Sequence, residues 1–497
     1  MDYIDFTQLH PVRKAIVGVR RGIIGFPKTV GQFFGAIRRG IAGFFRGIGR
    51  LIAETVAAFV HGDFRTRLSF LIMGLGNAFR GQIVRGLLFF LCEIGYIAYM
   101  VLFGSSFLAK IGTLGTETQQ KVFDETEGIY IYTRGDNSMQ ILLFSVLSIL
   151  LTLLFIGVYL WNIRSAYRSQ QLQEQEKPLP TFRQDLHSLL DSRYHVTLLT
   201  PPVVLVTLFT ILPLIFMVLI AFTNFDKDHQ PPGNLFTWIG LDNFSAMFGG
   251  NEQLGYTFLN LLLWTFVWAL FSTFSNYIFG MILALLINKK GIRFKKFWRT
   301  VFIITIAVPQ FVSLMLMSQL LADEGAVNVL LRELGWISES VPFLTNGTMA
   351  KITVLVINMW VGIPYSMLIT TGILLNIPED MYESARIDGA GPVTAFFKIT
   401  LPYMLFVTTP YLITQFVNNI NNFNVIYLLT RGGPLTLDYY KAGQTDLLVT
   451  WLYKQTVEEQ NYNLAGVIGV IVFIITATFS LIVYNSSASA KKEEEFQ

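Results

Sequence analysis

Cysteine is nearly absent from this sequence. Cys92 stands alone, which excludes a disulfide framework and a cysteine-built metal site within the chain. Charge is scarce too: Asp, Glu, Lys and Arg make up 14% of the residues, against about a quarter in soluble domains. The five histidines are scattered, without metal-ligand spacing. No Gly-x4-Gly-Lys-Ser/Thr run occurs, so the chain does not cradle ATP phosphates by that route. A loop with clustered Asp and His, the mark of a membrane enzyme acting on polyprenyl or sugar substrates, is missing as well. The net charge of +4 gives no reason to expect nucleic acid as a partner.

Apolar residues are abundant, at 53% of the chain. They gather into eight segments near the length that crosses a bilayer, at about 83–108, 139–161, 198–222, 258–287, 300–321, 350–375, 400–429 and 464–485. The fold class is therefore all-α, a polytopic membrane protein with about eight transmembrane helices. The loops alternate in charge. Arg164, Arg168, Lys177, Arg183 and Arg193 follow the second segment; Lys289, Lys290, Arg293, Lys295, Lys296 and Arg299 follow the fourth. The loops after the first, third and fifth are acidic or mixed. The excess of Lys and Arg on the cytoplasmic side puts both termini in the cytoplasm.

Residues 1–82 are basic and Gly-rich at their start. Arg20-Arg21-Gly22-Ile23-Ile24-Gly25-Phe26 recurs as Arg38-Arg39-Gly40-Ile41-Ala42-Gly43-Phe44. The offset is five helical turns, so both copies share a face. Two readings stay open: an in-plane amphipathic helix on anionic membrane lipid, or a basic tail that fixes topology. Pro213, Pro309, Pro364, Pro402 and Pro410 lie in or at the ends of spans, where each interrupts the helical bond ladder.

Polar side chains inside spans are costly, so they face a bundle interior or a wet cavity. Gln415, Asn418, Asn419 and Asn422 stand at i, i+3, i+4 and i+7, one helix face, with Tyr411 a turn earlier. Amides offer donors and acceptors without charge, which suits the hydroxyls of a neutral polyol. Interhelical hydrogen bonding is the competing use. The preceding span adds Trp360, Gly362, Pro364 and Tyr365, flat rings beside an opened backbone; an interfacial aromatic belt is the alternative for Trp360. Glu93 is the one acid clearly inside a span, so an ion-coupled sugar carrier lacks its mid-membrane site unless Glu93 provides it.

Between the last long segments lies Glu383-Ser384-Ala385-Arg386-Ile387-Asp388-Gly389, running on to Ile399-Thr400-Leu401-Pro402. Locally it reads as a short helix from Pro378, small on the Ala385 and Gly389 flank, stopped by Gly389 and Gly391-Pro392. Such an element suits docking on another protein. The stretch resembles the EAA loop of binding-protein-dependent ABC importer permeases, with Ser384 where that family usually has Ala. Leu428-Leu429-Thr430-Arg431-Gly432-Gly433-Pro434 and Ala442-Gly443-Gln444-Thr445-Asp446-Leu447-Leu448 are similar to the maltose/maltodextrin (MalF) type.

The resemblance implies a six-helix type I importer core over 198–485 with the EAA loop at 378–402. Ahead of it stand two peripheral helices at 83–161 and a cytoplasmic linker at 162–197, with a cytoplasmic tail at 486–497. It implies no catalytic residue, no metal and no cofactor on this chain: ATP and Mg belong to a partner ABC ATPase dimer. The other partners implied are a second homologous permease, an extracytoplasmic sugar-binding protein and the oligosaccharide. The setting implied is the plasma membrane of a prokaryote. ATPase coupling falls on Glu383, Ala385 and Gly389; substrate binding falls on Trp360, Gly362, Tyr365, Gln415, Asn418, Asn419 and Asn422. Gln415 and Asn418 depart from the family's small hydroxyl and aromatic, Ile306 from its tyrosine, and the loop at 223–257 is short. A malto-oligosaccharide is the first reading. Galacto-oligosaccharides, other plant glycans or glycerol phosphate are the alternatives, the last requiring a cationic site that the amides do not supply.

Overall fold

Long apolar runs closed by capping residues become long helices. The computed structural model describes residues 35, 38–40, 42, 43, 45–125, 128–289 and 291–486, and most of that backbone is helical. Among the described residues, seven helices are long and apolar enough to cross a membrane, eight if one sharply bent pair counts as a span. The first copy of the basic repeat, and most of the expected in-plane helix, lie outside the described residues, as does the tail beyond 486. The chain divides into two compact units, one within Phe34–Leu241 and one within Asp242–Gln497.

In the first unit the chain is helical from 45 to 60, then forms α1 (Phe64–Leu71), α2 (Leu75–Ala78) and the span α3 (Ile83–Lys110). Asp63 caps α1 through the Thr66 N–H at 2.8 Å. Buried Arg80 donates to the Gly76 carbonyl at 2.9 Å and the Thr66 hydroxyl at 2.8 Å, and pairs with Asp63. Burial works against charge on Asp63, but Thr66 and the Arg80 guanidinium hold its carboxyl below the usual range. A hairpin follows, β1 (Lys121–Asp124) antiparallel to β2 (Ile129–Tyr132), with Val122 opposite Ile131. Among the described residues the expected all-α architecture holds apart from this pair and two isolated β-bridges. Span α4 (Ser138–Glu174) overruns its apolar segment, because the Gln, Glu, Arg and Ala that follow are good helix formers. The expected linker is consequently largely helix, including α5 (Phe182–Leu190), before span α6 (Tyr194–Ile220). Glu93 accepts the Met73 N–H at 2.8 Å, which gives its carboxylate a local backbone partner.

The second unit is built on α7 (Glu252–Asn288), capped by the Asn251 side chain. Next come α8 (Lys295–Ala307) and α9 (Gln310–Leu320), then α10 (Gly347–Leu374) and α11 (Glu379–Ile387). The helical path resumes at Pro392 and runs through α12 (Leu401–Ile420) to α13 (Phe423–Thr430), followed by α14 (Leu448–Tyr453) and the final span α15 (Tyr462–Ser486). The segment expected as one kinked span at 300–321 consists of α8 and α9, bent by 86° at a break between them. Pro309 causes the break: it has no N–H for the ladder and drives Val308 to an extended ψ of 126°. Pro364 and Pro410, by contrast, remain inside α10 and α12.

Small residues let α7 and α10 approach. A Cβ at Gly280 would stand 2.5 Å from the Ser366 Cβ, and one at Gly362 would stand 2.2 Å from the Asn276 amide nitrogen. Trp264, Trp268, Leu314, Val354, Ile357, Val425, Ile426, Leu429 and Leu447 close the main core.

Candidate functional site

Sequence chemistry places α11. Glu379 and Asp380 occupy its first turn and Arg386 its last, each at the end of the helix dipole that favours its charge. The helix ends in a paired cap: the Ala390 N–H donates to the Ala385 carbonyl at 2.8 Å and the Gly389 N–H to the Arg386 carbonyl at 3.0 Å. Gly389 takes φ +76°, a left-handed conformation that side chains resist. It therefore lies past the helix, and the expected small flank of Ala385 plus Gly389 is not one helix face. Glu383 is exposed and Ala385 half-buried. Ile387 is 86% exposed and Val393 70% exposed, so apolar tips project where nothing among the described residues covers them. The Tyr382 hydroxyl meets the Thr400 hydroxyl at 2.8 Å, which helps fasten the element to the base of α12.

The amide-bearing helix is less uniform than its spacing predicts. α12 stops at Ile420, so Asn422 leaves the face of Gln415, Asn418 and Asn419 and instead caps α13 by accepting the Val425 N–H at 3.2 Å. Asn419 is buried; its amide donates to the Thr273 hydroxyl at 2.9 Å, and its backbone carbonyl accepts the Trp268 indole N–H at 3.1 Å. That is the interhelical use of an amide. Gln415 is half-buried and Asn418 exposed, and among the described residues neither side chain makes a hydrogen bond. On α10, Trp360 and Tyr365 are 46% and 45% exposed. The Tyr365 ring lies 6.4 Å from that of Tyr411, whose hydroxyl meets Ser366 at 3.2 Å. Pro364 has no N–H to give the Trp360 carbonyl, so the usual helical bond is missing on that turn.

Spacing did not single out Ser272 and Asn276 on α7, or Asn358 on α10. Each has a buried polar atom without a partner among the described residues. Their signal was present: Ser272 and Asn276 are one turn apart, as are Asn358 and Gly362. No acid or base occurs on α12 or α13, and on α10 the one charge is Lys351, whose ammonium lies 4.9 Å from the Trp264 ring centre. No group of three His, Cys, Asp or Glu side chains that could hold a metal occurs among the described residues. The chemistry on offer is uncharged hydrogen bonding beside aromatic area.

The family described as the binding-protein-dependent transport system inner membrane component matches residues 276–490. The galactooligosaccharides transport system permease protein GanP of Bacillus subtilis is 32% identical over 429 residues, 85% of this chain and 97% of that protein. The maltodextrin transport system permease protein MdxF of the same organism is 32% identical over 435 residues, 85% of this chain and 95% of its own length. A bacterial alginate ABC transporter, solved in complex with an alginate pentasaccharide-bound periplasmic protein, has a chain that matches 61% of this one and 96% of its own length, with 20% identity and a TM-score of 0.50. With its membrane helices and an exposed α11 carrying the EAA residues, this chain belongs to the binding-protein-dependent transport inner membrane components: it is a multi-pass ABC importer permease, a transport subunit and not an enzyme.

Proposed function

We propose that this chain is one of two homologous permeases in a type I importer for neutral oligosaccharides, with a malto-oligosaccharide as the first cargo. The observation that carries the reading is the path Pro392–Thr430, a largely helical rod without a charged side chain between Lys398 and Arg431. It joins the exposed α11 at one end to Gln415, Asn418 and Asn422 towards the other. In this reading α11 docks on a cytoplasmic ATPase dimer through Glu383, Ala385 and the turn at Gly389. Docking must be more favourable in one state of the ATPase than in the other, or no motion is transmitted. ATP and Mg act on that partner. The rod then tilts with α11, and the sugar handed over by an extracytoplasmic binding protein is read by Trp360, Tyr365 and the amides. Gly362 keeps α10 close to Asn276, and Asn419 holds the rod to α7. Both termini lie in the cytoplasm.

Galacto-oligosaccharides are the second reading, favoured by the similarity to GanP, which equals that to MdxF. ATP-dependent uptake of labelled maltotriose and galactotriose in proteoliposomes, with the partner permease, ATPase and binding protein present, tests both. Tyr365→Ala and Asn418→Ala should each lower uptake of the preferred sugar about tenfold, the equivalent of ~1.4 kcal/mol. Uptake driven by a proton or sodium gradient without ATP would overturn the reading.

A further inference from the structure

Three aromatic rings cluster just beyond Asn422, and neither the coupling element nor the amide face uses them. Phe423 and Tyr427 stack, with centroids 4.7 Å apart and planes 21° from parallel. Tyr453 closes on both, 4.8 Å from Phe423 and 5.0 Å from Tyr427. All three are half-buried. They are not the inward side of their helix: Val425, Ile426 and Leu429 bury the other face of α13 in the core. The Tyr427 hydroxyl is 3.4 Å from the carboxylate of exposed Glu458.

We infer that Phe423, Tyr427 and Tyr453, rimmed by Glu458, form a stacking platform for an additional sugar ring of a neutral oligosaccharide. Ring faces cover the apolar face of a pyranose, and a carboxylate accepts its hydroxyl hydrogens. The platform is held stiff in advance. Tyr453 stands between Trp451, whose indole N–H donates to the Tyr440 carbonyl at 3.0 Å, and Lys454, whose ammonium is 2.6 Å from the buried Asp446 carboxylate. Rings fixed before binding lose little freedom when a sugar arrives. Because Asn422 directly precedes Phe423, the platform continues the amide-bearing end of the rod, away from α11. Glu458 also sets the class of ligand: its negative charge favours neutral sugars over acidic ones.

This inference rests on the proposed function, and its test separates the two. Uptake of the malto- and galacto-series from disaccharide to hexasaccharide is measured for the wild-type complex, Tyr427→Leu and Glu458→Gln. The variant-to-wild-type ratio at each length cancels the length preference of the binding protein. Expected is about a tenfold loss for the hexasaccharide with Tyr427→Leu, about threefold with Glu458→Gln, and less than about twofold for the disaccharide in both. Equal losses at every length would overturn the platform and leave the proposed function standing. Should Tyr427→Leu fail to assemble, exposed Glu458→Gln decides: an unchanged hexasaccharide ratio overturns the platform. Wild-type complexes that move neither series would overturn the proposed function, and the platform with it.

Discussion

The two ends of the rod from Pro392 to Thr430 are built on opposite principles. At one end, α11 is largely exposed, ended by its backbone cap and touching the base of α12 through the hydroxyl pair of Tyr382 and Thr400. At the other end, the loop after α13 is tied from several sides. The Trp264 indole donates to the Thr445 carbonyl, the Leu448 N–H donates to the Thr265 hydroxyl, and the Tyr440 N–H donates to the Thr257 hydroxyl. Asp446 of that loop pairs with Lys454, just past α14, with side-chain exposures of 0% and 8%. Burial pushes the Asp446 carboxyl up, although the Lys454 ammonium, the Gly443 N–H and the Thr450 hydroxyl pull against it. A loosely fastened end can follow a partner. A densely bonded end can hold a pathway's shape while the rod moves.

The tied end offers the largest effect. Lys454→Met leaves the Asp446 carboxylate buried without its cation, which should cost about 3–5 kcal/mol. Gly432, at φ +78°, is pressed so closely on Asp446 that the loop has little room to relax. The measurement is the thermal unfolding midpoint of the purified complex, expected to fall clearly. Adding Asp446→Asn should recover most of the loss, since it removes the uncompensated charge at nearly the same volume and keeps an acceptor oxygen beside the Gly443 N–H and the Thr450 hydroxyl. A midpoint unmoved by Lys454→Met would break the comparison, because the loop would then be no more tightly held than α11.

At the loose end the expected loss of stability is smaller and the loss of function is complete. Gly389→Asp puts a side chain at φ +76°, at about 1 kcal/mol, and adds negative charge near the negative end of the α11 dipole. A Cβ there meets nothing within 4 Å, so the fold keeps its packing. Uptake should vanish while the variant still reaches the membrane and copurifies with its partner permease. Normal uptake would show that the exit angle of α11 does not matter.

How much of this was legible in the sequence follows from which forces act locally. The membrane spans were visible because each needs its own apolar length, and the end of α11 was visible because Gly389 announces a left-handed turn. The paired carboxylate in Asp446-Leu447-Leu448 was not, since its cation lies eight residues on and only the folded loop brings them together. The break at Pro309 was legible as a break, but its 86° angle depends on what surrounds it. Asn422 misled for a local reason. A period of 3.6 extends a face indefinitely on paper, whereas α12 stops at Ile420, and an Asn at the next helix start is a preferred cap. Ser272, Asn276 and Asn358 went unremarked because one amide or hydroxyl in a span carries little weight until its burial is known.

The smallest effect lies between the two ends, where the rod meets α7. Asn419→Ala removes the bond to Thr273, and Thr273→Val removes the same bond from the other side. Interhelical hydrogen bonds in membranes couple by about 0.6 kcal/mol on average. The double-mutant cycle on the unfolding midpoint should therefore return a small coupling, well under the effect of Lys454→Met. The same pair of variants separates two uses of one amide. If Asn419 only fastens the rod, the two single variants shift sugar uptake equally, because each loses the same bond. If its carbonyl oxygen also touches the sugar, Asn419→Ala lowers uptake further than Thr273→Val at equal stability. A coupling as large as that of the Asp446–Lys454 pair would mean that the rod is pinned along its length. The contrast between a free end and a fixed end could then not describe how it moves.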